Sequence, residues 1–535
     1  MAALGVASAC GGQAGPPREQ AAAGEPQIGG TLVFGVNSDV DSFNEFVKTS
    51  QLADQIDDFM LFMSLVRYDD ELSYAPYLAR SWELAPDGSS VTFHLRADVR
   101  WHDGVPVRAA DVLFTYRTAL LDAVAYPQRA YFRTVRGAEA LDSLTVRFDF
   151  VAPHAEPLDP FTQWSVMPEH LLGGVAPAQL ASTPFNRAPM GCGPFKFESW
   201  KPSQSISFVA NPDFPAELGG RPYLDRVVFR ILPEETTLLT ELRAGTVDVM
   251  RGLPPQEGAA IDADPNLRLV TYADRSFGYV AWNIRDPLFS DPRVRQALSL
   301  AIDREQLVKA LLYGYGTTGV SYVLPEVAPW AMDPDLGPLP YAPDSARALL
   351  AGAGWKDTDG DGVLDRDGRP FRFTLQTNKG DDLRADAAVV IQSDLKKVGV
   401  DLEPQLVEWA VFLNRINHKQ FQAYLSSWVY DSFQLDPSDV FHSRAIDAKY
   451  NRASYANPAV DSLIDAALAT PDRVVAKPLW FRFQRIVRDE APYTFLFNDR
   501  ERVGLNERVK GTVLDARGYL VSVARWWIPE AERRF

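Results

Sequence analysis

Order in the chain starts at Ile28-Gly29-Gly30, where apolar runs begin to alternate with turn residues. Thr31 to Val36 (TLVFGV) is a short apolar run with turn signals on both sides, the pattern of a buried strand. Its polar end, Asn37-Ser38-Asp39, falls where α/β sheets gather ligands. From Val91 to Arg96 the period is two. Val91, Phe93 and Leu95 share one face and Thr92, His94 and Arg96 the other, which predicts a half-exposed strand. Asp87-Gly88 and His102-Asp103-Gly104 read as turns, and Ala109-Ala110-Asp111 opens a helix to about Leu120.

The clearest helix follows Asp291. This Asp is a good N-cap, and Pro292 suits the first helical position. Val294, Ala297, Leu298, Ala301 and Ile302 then form one apolar stripe. A second helix follows Asp381-Asp382, carries Leu383, Ala387, Ile391 and Leu395 at four-residue steps, and stops at Gly399. Strands and helices are mixed throughout without internal repeats, so the expected class is α/β.

Composition narrows the function. The chain has 535 residues, 46% hydrophobic and 23% charged, enough for more than one domain or one large two-lobed unit. Its net charge of −16 excludes a nucleic-acid partner, since phosphate binding needs clustered Lys and Arg. Two cysteines, Cys10 and Cys192, cannot build a zinc framework, and no disulfide is expected between them. The six histidines are scattered, and Gly-x-Ser-x-Gly, His-Glu-x-x-His and phosphate-loop motifs are absent. His102-Asp103 reads as a turn, because adjacent side chains seldom face the same way. No catalytic set is expected; the rival reading is an envelope hydrolase using paired carboxylates near Asp431 and Asp436.

Residues 2–9 are small and apolar, Cys10 follows directly, and a Gly/Ala/Pro/Gln-rich stretch runs to Gln27. This resembles the end of a bacterial lipoprotein signal peptide. It implies a signal remnant at 1–10, lipidation of Cys10, a flexible tether at 11–27, and an exported chain in the periplasm or at the cell surface, anchored rather than spanning.

Several segments, taken in order, resemble the family 5 extracellular solute-binding proteins. They are Tyr74-Ala-Pro-Tyr-Leu-Ala-Arg-Ser-Trp-Glu83, Asp87-Gly88, Phe93-His-Leu-Arg96 and Trp101-His-Asp-Gly-Val-Pro-Val-Arg-Ala-Ala-Asp-Val112. Gly191-Cys-Gly-Pro-Phe-Lys196 follows, with Cys192 where the family usually has Thr, Ser or Ala. Asp291-Pro-Arg-Val-Arg-Gln-Ala-Leu298 with Ala301-Ile-Asp-Arg304 is the strongest, and Asp489-Glu-Ala-Pro492 and Val509-Lys-Gly511 close the series. The resemblance spans roughly residues 28–530.

It implies a two-lobed periplasmic-binding-protein fold with an extra small domain. The first lobe takes 28–70, 191–282 and 499–535, the extra domain 71–190, and the second lobe 283–498. Hinge crossings fall near Trp282-Asn283 and Phe497-Asn498. The implied function is that of the substrate-binding lipoprotein of an ABC importer. As a monomer, it takes a peptide or peptide-like solute between its lobes and delivers it to the membrane permease subunits. The same scaffold serves binders of nickel chelates, oligosaccharides, opines and haem, so a non-peptide solute is the alternative.

The resemblance places Trp409, Trp428 and Asp431 on cleft-lining positions, with Asp431 taking a peptide α-ammonium. On residue type alone Asp431 reads equally as a turn cap and the two Trp as core. Arg residues that help take a peptide C-terminus in some members are replaced here by Ile416 and Leu425, with Arg415 one residue out of register. Arg384, in the first turn after Asp381-Asp382, is the candidate substitute; a solvated Arg paired with those acids is the alternative. Asn37, Ser38, Phe277 and Tyr279 are further candidates from the first lobe. Separately, Asp357, Asp359 and Asp361, with Val363 supplying its carbonyl and Asp365 following, resemble a calcium loop whose twelfth position is Gly368. A structural Ca2+ is expected there, or else a metal-free Asp/Gly turn. No other cofactor is expected.

Overall fold

The computed structural model describes residues 24–430 and 432–534. Thr31–Val36 forms the predicted strand, with Leu32, Val33 and Phe34 buried. It pairs in parallel with Arg226–Ile231 and Val249–Arg251. Ser205–Ala210 and Phe195–Lys201 extend this side antiparallel. On the other side the order runs through Tyr493–Asn506, Ser276–Trp282, Ala423–Val429 and Arg372–Asn378 to Asp401–Val407.

Tyr493–Asn506 joins the two halves of the molecule. Its first residues, Tyr493 to Phe497, pair with Ser276–Trp282, and its last, Arg500 to Asn506, pair with Leu267–Ala273. The pairing therefore changes halves at two neighbouring places, between Ala273 and Ser276 and between Phe497 and Arg500. Ser276–Trp282 itself pairs with the second-half strand Ala423–Val429 along its whole length. The hydrophobic cores follow this division. One gathers Leu32, Phe34, Phe93, Phe148 and Trp526; two others gather Tyr279, Phe441 and Trp480, and Trp282, Leu298 and Phe373.

A separate antiparallel sheet orders Ala79–Leu84, Ser90–Leu95, Thr145–Phe150 and Val135–Asp142. The period-two strand buries Val91, Phe93 and Leu95, as its pattern predicts. Helix Ala109–Ala119 packs on this sheet. The helix after Asp291 spans Pro292–Ala301, and the Asp291 carboxylate accepts from the Arg293 amide at 2.9 Å. Val294, Ala297, Leu298 and Ala301 are fully buried; burying side chains of the Val294 and Leu298 type contributes about 1.5–3 kcal/mol each. Helix Asp382–Lys396 is capped by Asp381, and Gly399 beyond it takes φ +79°, the left-handed turn that ends a helix.

Two features of the first half are tightly built. Lys48 is buried among acids, its ammonium 2.9 Å from Glu45, 3.0 Å from Asp57 and 3.3 Å from Asp54. Glu45 also accepts a 2.5 Å bond from the Tyr126 hydroxyl. Burial pushes Asp57 well above the usual carboxylate range, with Lys48 opposing. Burial alone lowers Lys48, but Asp57, Glu45, Asp54 and Asp58 outweigh it and hold the ammonium above its usual range. The second feature is the Gly191-Cys-Gly-Pro segment, which lies against the end of the helical turn Asp57–Leu61. The Cys192 and Gly193 amides both donate to the Leu61 carbonyl, at 2.9 and 2.8 Å. Cys192 is a free thiol with 1% exposure, and burial pushes its pKa up, so its position is structural.

Candidate functional site

Asn37 and Ser38 follow the strand Thr31–Val36 and are exposed. Asp39 fixes this strand end, accepting from the Trp200 indole at 3.0 Å and the Ser203 amide at 2.7 Å. Phe277 and Tyr279 lie inside the second-half core, 1% and 0% exposed. Tyr279 stacks on Tyr493 with ring centroids 4.4 Å apart, and its hydroxyl is 3.1 Å from that of Tyr424. Trp428 sits opposite Phe277 in register, half-buried, its ring edge-on to Tyr450 at 5.6 Å. Trp409 starts helix Trp409–Asn417 and is 47% exposed, stacked on Phe412.

Arg384 is in the first turn of its helix, as expected, but its charge is taken up locally. Its guanidinium donates to Asn378 at 2.6 Å and lies 3.1 Å from the Asp381 carboxylate. Ile416 and Leu425 are core residues, 0% and 1% exposed. Asp431 and Cys10 lie outside the described residues. His102 and Asp103 do not pair: His102 donates to the Gly193 carbonyl at 3.0 Å, while Asp103 bonds His170 at 2.8 Å. Burial lowers the His102 pKa to about 4.

In the acidic loop, carboxylate oxygens of Asp357, Asp359 and Asp361 lie within 4.8 Å of one another, all three residues exposed. Asp357 accepts from the Gly360 and Gly362 amides and Asp361 from the Val363 amide. Asp365 is turned to Thr358, accepting from its amide and hydroxyl.

The residues just after position 431 reach both the first lobe and the small antiparallel domain. Phe433 meets the Tyr68 ring at 4.8 Å and carries the Arg275 guanidinium over its face at 4.7 Å. Asp436 is ion-paired with Arg133 at 2.5 Å. Beside it, Glu156 accepts from Tyr74 at 2.6 Å and pairs with Arg473 at 3.1 Å, and the Ala155 amide donates to the Leu468 carbonyl. The Arg133–Asp436 and Glu156–Arg473 pairs border a cavity of about 330 Å³ between the small domain and the second half, walled by Trp330, Trp480, Leu435 and Leu468 on one side and His154 and Ala155 on the other. A larger groove of about 640 Å³ lies over helix Ala109–Ala119. It is lined by one domain alone, whereas the interdomain cavity has walls from two bodies and is the better candidate for a solute; none of the described ligand-binding candidates lines either space. Sequence reading missed Arg133, Glu156 and Arg473. Arg133 and Asp436 are 303 residues apart and Glu156 and Arg473 are 317 apart, so no local pattern joins them.

Residues 73–446 match the family described as bacterial extracellular solute-binding proteins, family 5 middle. The chain belongs to this family. The oligopeptide-binding protein AppA of Bacillus subtilis is 33% identical over 531 residues, 97% of this chain and 96% of that protein. Its structure in complex with a nonapeptide superposes with a TM-score of 0.75 at 32% identity, covering 95% of this family 5 chain and 100% of the other. NikZ from Campylobacter jejuni, solved with Ni(L-His), is 25% identical with a TM-score of 0.74, covering 93% of this chain and 99% of that one. The α/β two-lobed architecture expected from the sequence is the fold of these family 5 proteins. The family is one of extracellular binding proteins, and among the described residues no helix is long and apolar enough to cross a membrane.

Proposed function

We propose that this chain is the solute-binding component of an ABC importer, enclosing a peptide or peptide-like solute between its lobes and passing it unchanged to the membrane permease. The observation that carries this reading is the cavity between the small domain and the second half, beside the segment after residue 431. The nonapeptide-bound relative supports it. Ion pairs from both sides frame the space, so a solute there stabilises the docked arrangement by binding it better than the open one.

Mass spectrometry of the natively purified chain tests two parts of this reading at once. A co-purifying peptide is expected, together with a lipid mass on Cys10; hydrolysed peptides in a turnover assay would instead favour an enzyme. Asp431→Asn is expected to weaken a ligand with a free amino end by about 1–3 kcal/mol, read by calorimetry. Equal affinity removes Asp431 from the site.

A non-peptide or end-blocked solute is the second reading, and one observation favours it. Ile416 and Leu425 are buried and apolar, and Arg384 is already paired, so none of these positions offers a cation to a free carboxylate. A nickel chelate, as in NikZ, is then the first compound to test.

The loop Asp357–Asp365 supports a structural hard cation, because converging exposed carboxylates repel one another unless a cation neutralises them. Calcium is expected to raise the melting temperature by a few degrees over an EDTA control. Superimposable melting curves would leave the loop a metal-free turn.

A further inference from the structure

Glu156 and Arg473 are 317 residues apart and belong to different bodies. Glu156 lies in the small domain, and Arg473 opens helix Arg473–Glu490 of the second half. Arg473 meets both carboxylate oxygens, its Nε 3.2 Å from one and a terminal nitrogen 3.1 Å from the other. A two-pronged pair of this kind fixes direction as well as distance. Each partner is braced from its own side. The Tyr74 hydroxyl donates to Glu156 at 2.6 Å, and the Arg473 guanidinium lies 5.1 Å over the Trp330 ring. The Glu156 side chain is 11% exposed and that of Arg473 35%, so salt screens the pair less than it screens a fully exposed bridge. One residue away, the Ala155 amide donates to the Leu468 carbonyl at 3.1 Å, a backbone bond between the two bodies. The other cross-body pair, Arg133–Asp436, is a single contact with Arg133 half exposed. All of these bonds run from protein to protein.

We infer that the Glu156–Arg473 pair is a latch across the cleft, holding the small domain against the second half and setting the balance between the closed and open forms. A contact made only when the bodies are docked favours docking by its own free energy, whatever the solute. Any solute that needs the closed form then binds in proportion to the closed fraction. The same helix carries the contrasting case. Arg485 makes an equally two-pronged pair with Asp333, at 2.6 and 3.2 Å, but both residues lie in the second half, so that pair ties one body to itself. The role of the latch in solute capture rests on the proposed solute-binding function, and its test needs no solute.

Hydrogen exchange of the full chain, followed by mass spectrometry without added solute, reads the latch at the Ala155 amide, which is released when the two bodies part. Arg473→Met and Glu156→Gln keep the length of each side chain, and the glutamine still accepts from Tyr74. Each is expected to speed exchange of the segment around Ala155 by about tenfold, between the worth of an exposed and a buried ion pair. The double variant is expected to exchange no faster than either single one, because the same contact is lost once. Arg485→Met, the same change within one body, is expected to leave this segment at the wild-type rate. Unchanged exchange in Arg473→Met overturns the inference. So does an acceleration spread equally over the helices of the second half, or one matched by Arg485→Met, since either marks the pair as merely structural. Singles whose effects add in the double variant overturn it as well. A random nonapeptide pool separates the latch from solute contact: the peptides captured by Arg473→Met are expected to have the wild-type composition, and a changed composition would show that Arg473 reads the solute instead. Capture of no peptide by either protein would sink the peptide reading and leave the exchange result to decide the latch.

Discussion

Lys48→Met is expected to destabilise the chain by about 3–5 kcal/mol at neutral pH, the cost of removing one partner from a buried ion pair. The side chains of Lys48, Glu45 and Asp57 are 2%, 1% and 0% exposed. Methionine keeps the length and the packing but leaves Glu45 and Asp57 buried without a counter-charge. The pH dependence gives the sign. Asp57 and Asp58 already have folded-state pKa values raised by burial. A raised carboxylate favours folding below its unfolded value and loses that contribution as pH rises through its folded value. Removing Lys48 raises these carboxylates further. The deficit of the variant should therefore be largest at neutral and alkaline pH and shrink as pH falls toward the ordinary carboxylate range. In the wild type, the raised Lys48 keeps its own contribution until pH exceeds its unfolded value of 10.5 and rises through the folded one. Urea melts of both proteins from pH 4 to 8 check this, and adding Asp57→Asn should recover part of the loss. A deficit that is the same at every pH would mean that lost packing, not the bare carboxylates, is the cause.

Gly191→Ala is expected to cost about 3 kcal/mol or more, the upper end for forced overpacking. A Cβ there would lie 2.0 Å from the Leu61 carbonyl oxygen and 2.8 Å from its carbon. Neither is the end of a side chain that can rotate away. The same carbonyl accepts from the Cys192 and Gly193 amides, so moving it strains both bonds. The contrast is Gly137→Ala, where nothing lies within 4 Å of the added carbon and a change within about 0.5 kcal/mol is expected. Denaturant melts of the two variants make the comparison; equal stabilities would show that the Asp57–Leu61 turn yields freely.

Local chemistry made much of this protein legible before any fold was known. The strand Thr31–Val36, the buried face of Val91, Phe93 and Leu95, and the Asp291 and Asp381 caps all follow from short-range rules. A side chain's face is set by residues within one or two turns of it, so periodicity and caps report it directly. The Gly-Cys-Gly-Pro motif could be quoted from the sequence, but its reason, the approach of the Leu61 carbonyl, could not.

What the tertiary structure alone decided is which distant groups meet. Ser276–Trp282 is apolar on both faces, so its pattern could not say that Phe277 and Tyr279 sit in the core opposite the Ala423–Val429 strand. Arg384 was legible as a first-turn residue, but its pairing with Asn378 depends on how that helix leaves its strand. The contacts Arg133–Asp436 and Glu156–Arg473, and the cavity they frame, join chain segments about three hundred residues apart. Such pairings depend on the docking of whole bodies, whose energy is spread over many weak contacts and leaves no mark at any one position of the sequence.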